Sequence, residues 1–388
     1  MMTACFFELL QGVTVVEWIP WILITIYVVM MLVLMIGLYR VSYSRYESSG
    51  KPMPSVSVIV SARNEERDLP GCIESLLRLN YPPGLLQIIL VNDRSTDGTG
   101  AIMEETARQH PGITVLNTTE SGASRLEGKA RGIARGFQAA TGEWVAITDA
   151  DARANPDWLL HLLYDVDENV GMIGGSLVVE PSGLLGKAER MNWGFVQMFN
   201  VGITGYGKSI VCVGPNMAMR RSIYEQSGGL ERAQFRIAED LALHEMVKTN
   251  GYKIKNYMDE PTTITLRPVL SWNHLFSQTK RWLGGGMDNP DYAFLLILGF
   301  GAAFLFGLYL LFGWLLGLTA WLAVVLIKSL TDIAYFQLQA HRMKLNSYTI
   351  YFYIFAVAFA IIMVFLTLSF IYSRKITWKG SGYTITYD

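Results

Sequence analysis

The chain has 388 residues, 51% of them hydrophobic, with a mean hydropathy of +0.28 and a formal net charge of -1. That is too apolar for an ordinary cytosolic domain yet leaves enough charge for a soluble part, so a protein with membrane and globular parts follows. The near-neutral balance, without a basic arm or an aromatic-basic signature, argues against a nucleic-acid partner; Cys5, Cys72 and Cys212, scattered without CxxC spacing, argue against a zinc site or a disulfide framework.

Residues 18–39 form an apolar run long enough to cross a bilayer, preceded by Glu8 and Glu17 and followed by Arg40, Arg45 and Lys51. The positive-inside rule then puts the following domain in the cytoplasm. The run is too long for a signal peptide, lacks basic residues before it and has no small-x-small cleavage site after it, so residues 1–53 read as a retained anchor.

From 54 to 287 the composition turns globular, and strand-like runs alternate with amphipathic ones. Residues 56–61 read as a buried strand, 69–79 as a helix, 86–93 as a second strand and 96–109 as a helix capped by Ser95 or Thr96. A further strand and helix run through Val115 and Lys129 to Trp144. Repeated βα units at this spacing predict an α/β domain with a mostly parallel sheet and right-handed crossovers. The first strand leads into SARNEE rather than GxGxxG, which removes the main support for a dinucleotide dehydrogenase. Residues 144–148 read as another buried strand, which delivers Asp149 and Asp151 into the turn that follows. Ligands bind at that end of strands in open α/β sheets, and two carboxylates one residue apart can grip a hard divalent cation that neutralises a diphosphate. The same Asp-rich turn also suits a cap for the helix opening near Pro156.

Residues 184–203 are rich in Met, Trp and Phe, which suits core packing or a wall on the membrane side of an acceptor site. Gly228, Gly229 and Leu230 read as a tight loop, and IAEDLAL places Glu239 and Asp240 at the start of a helix. In QTKRW, the i, i+3, i+4 spacing of Gln278, Arg281 and Trp282 puts all three on one helical face, and Leu270, Trp272, Leu275, Phe276 and Leu283 give this segment an interfacial character. From 288 to 388 the chain is mostly apolar: 292–338 is long enough for two spans joined near 313–317, and 348–372 for a third. Lys328 and Asp332, four apart, are expected to pair inside the bundle, and His341, Arg342 and Lys344 to lie in a cytoplasmic loop. Three crossings leave Arg374, Lys375 and Lys379 outside, against the positive-inside rule, unless one segment is interfacial or re-entrant.

In order and spacing, VSVIVSARNEE, IILVNDRSTDGT, GKARGIARGFQAATGEWVAITDADA, GPNMAMRRSIYEQSGGL, IAEDLAL and QTKRW resemble the family 2 inverting membrane glycosyltransferases, and the resemblance covers essentially the whole chain. It implies a GT-A nucleotide-sugar-binding domain on the cytoplasmic side of the plasma or inner membrane, with one N-terminal and about three C-terminal transmembrane helices. By that resemblance Ala62, Asn64 and Glu65 contact the nucleotide, Asp93 binds its base or ribose, and Lys129 lies near the diphosphate. Asp149 and Asp151 match the DxD motif, which implies Mg2+ or Mn2+ bridging protein and diphosphate. Asp240 matches the general base, beside Glu239, while Gln278, Arg281 and Trp282 match the motif near donor diphosphate and acceptor. Ala134 stands where the family pattern has Asn, and Ser381 in TWKGSGY where several lipid-directed members have Arg.

The implied roles suit the residue types. A strand-end carboxylate accepts hydrogen bonds from an N–H or a hydroxyl, and an acceptor hydroxyl needs a positioned carboxylate to take its proton as it attacks. One base and one departing diphosphate invert the anomeric centre. The resemblance points to a UDP-sugar donor, with glucose favoured, and to a lipid hydroxyl of carotenoid, isoprenoid or sphingoid type. A processive polysaccharide synthase shares QxxRW but needs spans that enclose a polymer channel. An inactive membrane scaffold or transporter subunit would have no need of Asp149, Asp151, Asp240 and Arg281 together.

Overall fold

The computed structural model describes residues 15–47, 52–118, 126–164, 166–210, 212–233, 239–286 and 290–345, with short stretches at 364–365, 368, 375–378 and 381–384. Its helices, in chain order, are α1 (Val15–Arg40), α2 (Leu69–Leu77), α3 (Thr99–Gln109), α4 (Gly128–Ala139), α5 (Trp158–Leu163) and α6 (Gly183–Thr204). They continue with α7 (Arg221–Gln226), α8 (Glu239–Thr249), α9 (Trp272–Gly286), α10 (Pro290–Phe312) and α11 (Leu318–Arg342). The first four strands are β1 (Val56–Ala62), β2 (Leu86–Asn92), β3 (Ile113–Asn117) and β4 (Trp144–Thr148), all mutually parallel where they pair.

Strands β1, β2 and β4 are buried on both faces, which is why their sequences read as continuous apolar runs, while β3 is the partly exposed edge strand. Val56, Val58, Val60, Ile88, Leu90, Trp144 and Ala146 point to one side, where α2 covers them with Leu69, Cys72, Ile73 and Leu76. Ile59, Ile89, Val91, Val145 and Ile147 point to the other, under Ala130, Ile133 and Phe137 of α4. Contact with α4 is close: a Cβ on Gly132 would lie 1.9 Å from Ser61 Oγ, so only glycine lets the helix settle there.

Five further strands complete two sheets: β5 (Ala152–Ala154), β6 (Val170–Gly174), β7 (Leu177–Val179), β8 (Met217–Arg220) and β9 (Lys253–Asn256), with β10 (Ile264–Leu266) closing the second. The main sheet has the order β3-β2-β1-β4-β8-β6-β9, and the small one β5-β10-β7. The α/β architecture with a mostly parallel sheet is therefore as expected. One departure is β8, which runs antiparallel between β4 and β6. Chain order sets the site. From β1 the chain builds β2 and β3 on one side, then crosses back to lay β4 on the other side of β1. Strand order reverses there, opening a crevice at the carboxyl ends of β1 and β4.

Two described helices are long and apolar enough to cross a bilayer, Trp18–Arg40 and Leu318–Arg342, and Gly301–Leu315 is a shorter apolar stretch. Pro290–Phe312 is helical and meets α11 through the turn Gly313–Leu316, as expected from the sequence. Of the three C-terminal crossings expected, only α11 meets the length and hydropathy of a span among the described residues; most of 348–372 lies outside them. Lys328 does pair with Asp332, which also accepts from Tyr27 on α1, so this buried charge pair fastens the two helices together.

Helix α6 packs along α1, which also packs directly on α11. Met191, Met198, Phe199 and Val201 meet Met31, Leu34, Leu38, Tyr335 and Phe336, so the Met- and Phe-rich stretch is a wall toward the apolar helices. A Cβ on Gly37 would lie 1.9 Å from Gly202 O, which shows how nearly the α1 and α6 backbones touch. Arg342, expected in a loop, is instead 4% exposed. It donates to Leu38 O at 3.0 Å, Val41 O at 2.9 Å and Met258 O at 2.9 Å, tying the carboxyl ends of both apolar helices to the α/β domain. Lys344 follows with an ion pair to Glu260 at 2.8 Å. Strand β11 (Lys375–Trp378), paired with β12 (Ser381–Thr384), lies against α9.

Candidate active site

The loops after β1 and β2 are sewn to each other at the mouth of the crevice. Asn64 adopts a left-handed φ of 56°, which an Asn tolerates. Its Oδ1 accepts from Thr96 N at 2.8 Å, while Asn64 N donates to Ser95 Oγ at 3.1 Å and Glu65 N to Thr99 Oγ1 at 2.7 Å. Ser95 and Thr96 are consumed by this seam, so neither caps α3: the helix starts at Thr99 with Gly98 at its N-cap and no side-chain cap, and Asp97 Oδ1 accepts from Thr99 N at 3.0 Å. Ala62 O accepts from Asp93 N at 2.8 Å. Ala62, Asn64 and Glu65 therefore stand at the carboxyl end of β1, with the Asn64 side chain already engaged in shaping the loop.

Asp93 follows β2 and is 1% exposed. Its Oδ1 accepts from Arg131 Nε at 3.0 Å, Arg131 Nη2 at 2.7 Å and Thr118 Oγ1 at 2.7 Å, and Arg94 Nε stands 3.9 Å away. Its Oδ2 is buried with no hydrogen-bond partner among the described residues. A buried acceptor without a donor is costly, and a ligand N–H or hydroxyl would satisfy it.

The centre of the crevice is a charge cluster drawn from three elements. Lys129, in the first turn of α4, reaches Asp149 Oδ1 after β4 at 2.6 Å and Glu239 Oε1 at the start of α8 at 3.3 Å. Burial alone would lower the Lys129 ammonium; the Asp149 and Glu239 carboxylates outweigh it and hold the group well above its usual range. Asp240 is pinned by backbone donors, Leu241 N to Oδ1 at 2.9 Å and Gly214 N to Oδ2 at 3.3 Å. Burial pushes its carboxyl up, neighbouring Glu239 pushes further, and Lys129, Leu241 N–H and Arg281 pull it back, leaving it at about 6. A carboxylate poised near neutrality and fixed by two N–H groups is suited to take a proton.

Asp149, Asp151 and Glu65 also gather around Cys72, whose thiol donates to Asp149 O at 3.3 Å. Burial, opposed by Arg153 and helped by Asp151, Asp149 and Glu65, pushes that thiol up to about 12, so it stays neutral and inert. Asp149 and Asp151 offer oxygen donors, which fits Mg2+ or Mn2+ rather than a soft metal. Among the described residues no group of three or more His, Cys, Asp or Glu could hold a metal alone, so two carboxylates suit a cation whose remaining ligands are phosphate oxygens and water.

Helix α9 brings QTKRW to the same crevice. Arg281 is close enough to act on Asp240 electrostatically. Gln278 is hydrogen-bonded to Glu189 of α6, a carboxylate 1% exposed that also accepts from Val269 N at 2.7 Å, and burial, held back by these bonds, pushes it up to about 7. Gln278 Oε1 is buried without a partner among the described residues. Asn192, one turn on from Glu189, donates to Thr279 Oγ1 at 3.2 Å and repeats the tie between α6 and α9. The side chain of Trp282 lies outside the described residues. Sequence reasoning missed Arg131 and Glu189. Both left a signal: Arg131 is two residues after Lys129, and Glu189 is a lone acid in an apolar helix, a residue type seldom fully buried unless partnered.

With this geometry in hand, the chain matches the family model for glycosyl transferase family group 2 over residues 144–372 and that for glycosyl transferase family 2 over residues 57–228. It is 28% identical over 252 residues to a probable glycosyltransferase, YdaM, of Bacillus subtilis (strain 168), covering 62% of this chain and 57% of that protein. It is 33% identical over 111 residues to a β-monoglucosyldiacylglycerol synthase of Nostoc sp., covering 29% of this chain and 23% of the relative. It is 23% identical over 254 residues to a poly-β-1,6-N-acetyl-D-glucosamine synthase of Staphylococcus epidermidis, covering 62% and 57%. Among solved structures, the fold is similar to that of the mannosyltransferase PcManGT from Pyrobaculum calidifontis in complex with GDP-Man and Mn2+, with a TM-score of 0.58, 19% identity and coverage of 90% of this chain and 95% of that one.

Proposed function

This chain belongs to glycosyl transferase family 2, and on that premise we propose that it is a membrane-bound inverting glycosyltransferase that moves one sugar, glucose from UDP-glucose by preference, onto a lipid hydroxyl. The observation that carries the reading is Asp240, a carboxylate at about 6 held by Gly214 N and Leu241 N at the rim of the Lys129–Asp149–Glu239 cluster. The acceptor hydroxyl gives its proton to Asp240 while its oxygen attacks the anomeric carbon. The bond from that carbon to the diphosphate breaks on the opposite face, the diphosphate leaves with the electron pair, and the centre inverts, so an α-linked donor yields a β-glycoside.

The chain's own residues divide this work. Lys129 and Arg281 bring positive charge to the departing diphosphate, and a point charge plus a guanidinium suit phosphate well. Asp149 and Asp151 would hold Mg2+ or Mn2+, which when bound supplies a Lewis acid for the leaving group. Ala62, Asn64, Glu65 and Asp93 form the nucleotide end, and Gln278 and Trp282 the acceptor end.

A lipid acceptor is supported by placement. Helix α6 packs against the α/β domain on one side and α1 on the other, and ties directly to α9 through Glu189 and Asn192. A hydroxyl at the membrane surface can therefore approach α9 without leaving the lipid. The domain division 1–53, 54–287 and 288–388, with the middle part cytoplasmic, follows from the same reading. The relatives named for monoglucosyldiacylglycerol support a β-glucosyl lipid product. The test is purified full-length protein with a panel of nucleotide sugars and native lipid extract, read by mass spectrometry. The expected product partitions into organic solvent with one hexose per lipid in β linkage. A water-soluble polymer or a ladder of additions would instead support a processive polysaccharide synthase, and no transfer from any donor would support a scaffold.

A further inference from the structure

We propose that Arg131 is a specificity-determining residue that makes the base pocket select uracil over guanine by leaving Asp93 one free acceptor atom. The inference rests on the UDP-sugar donor reading above and adds which residue selects that donor's base. Asp93 Oδ1 is saturated: Arg131 donates to it from Nε at 3.0 Å and Nη2 at 2.7 Å, and Thr118 Oγ1 donates at 2.7 Å. Oδ2 is buried, unpartnered among the described residues, and part of a side chain with 2% of its surface exposed.

Two features of this arrangement discriminate between bases. Uracil offers a single N–H, at N3, flanked on both sides by carbonyl oxygens. Its N3–H can donate to Oδ2 while a flanking carbonyl faces the Arg131 guanidinium, donor to acceptor. Guanine offers two adjacent donors, N1–H and the N2 amine, and its usual partner is a carboxylate with both oxygens free. Here the second guanine donor would face Oδ1 already occupied, beside a guanidinium that also donates. That leaves a donor unpaired and pointed at a cation, a repulsive element rather than a missing attraction. Cytosine and adenine present ring acceptors to Oδ2 and are disfavoured for the opposite reason. Thymine shares the uracil edge, so the selection concerns that edge. Arg131 is 16% exposed and its guanidinium is held at Asp93, so it is positioned before any ligand arrives.

The test compares UDP and GDP binding to full-length protein in detergent by calorimetry, for wild type, Arg131→Met and Arg131→Lys. Wild type is expected to bind UDP tighter than GDP by on the order of 30- to 100-fold, the effect of one buried donor left unpaired. Arg131→Met removes two of the three donors on Oδ1, leaving Thr118 Oγ1, and takes away the opposing cation, so the ratio should fall to within a few fold, chiefly by GDP binding improving. Arg131→Lys keeps a cation and a donor on Oδ1 and should retain a UDP preference. A wild type that binds GDP as tightly as UDP, or an Arg131→Met protein with lower affinity for both and an unchanged ratio, overturns the proposal. Binding of neither nucleotide by the wild type overturns the donor reading itself. Should Arg131→Met fail to fold, the Lys variant and wild type still decide: a UDP preference retained in Arg131→Lys is the expected result, and its loss at unchanged melting temperature, or an absent wild-type preference, refutes the proposal.

Discussion

Asp240→Asn keeps the shape of the side chain and, through its single amide oxygen, one of the two contacts with the Leu241 and Gly214 N–H groups, and removes its capacity to take a proton. With the wild-type carboxyl lifted from 3.8 to about 6, it is about one-tenth ionised at pH 5 and about nine-tenths at pH 7, so kcat should rise roughly tenfold over that interval and level off above it. The Asn variant should lose about 10² to 10⁴ in kcat with KM for the donor little changed, and its residual rate should show no limb near pH 6. Stability moves the other way. The native state pays to ionise a carboxyl that is already ionised in the unfolded chain, so wild-type stability is intact below about pH 4 and declines as pH rises through 6. The gap between 3.8 and about 6 corresponds to about 3 kcal/mol, reduced to on the order of 1–2 kcal/mol because the site is partly open to solvent. The inactive variant should therefore melt a few degrees above wild type at pH 8 and alongside it near pH 4. Purified protein assayed for transfer across pH 5–9 and melted at both extremes checks all of this. Near-normal turnover in the Asn variant, or a flat wild-type profile through pH 6, would remove Asp240 from the mechanism.

Lys129→Met leaves the Asp149 and Glu239 carboxylates without their shared cation; a loss of about 2–3 kcal/mol and a matching fall in melting temperature are expected, together with weaker donor binding, and an unchanged melt would show that the cluster is not held by charge. EDTA should stop transfer and Mn2+ or Mg2+ restore it, while Asp151→Ala should lose metal-dependent donor binding; undiminished activity in EDTA sinks the metal assignment. Glu189→Ala strands Val269 N–H and the Gln278 amide, at about 1–3 kcal/mol for each unpaired group, and should lower kcat more than Glu189→Gln, which can still accept one of the two bonds; equal kinetics in both variants and wild type would count against a role in orienting α9.

Much of the scaffold was legible because its causes are local. Continuous β-branched and apolar runs mark β1, β2 and β4 as strands buried on both faces, and Asp149, Asp151, Glu239 and Asp240 fall at element ends that sequence patterns locate well. Gly228 and Gly229 form the expected tight loop, both with positive φ, 77° and 72°. Local reasoning went wrong where a local preference lost to a distant partner. Ser95 and Thr96 are good caps, but Asn64 claims them and the helix starts later, at Thr99, with Gly98 at its N-cap. Arg342 has a loop-like sequence context, yet the carbonyls of Leu38, Val41 and Met258 draw it into the interior.

By itself the sequence determined that an α/β domain sits between apolar segments and that it carries an Asp-x-Asp turn, an acidic pair and a QxxRW helix, because strand runs, helical periodicity and turn chemistry act over a few residues and are written where they act. Tertiary structure alone decided that β8 enters antiparallel, that the Asp149 carboxylate is met by Lys129, that Arg131 occupies one oxygen of Asp93, and that β11 lies against α9. Each of these depends on which side chains or backbones meet after the chain has crossed the sheet and returned. A charge or an unpaired acceptor is costly in the interior whatever the sequence distance to its partner, so these contacts are selected by the whole fold and leave no local pattern to read.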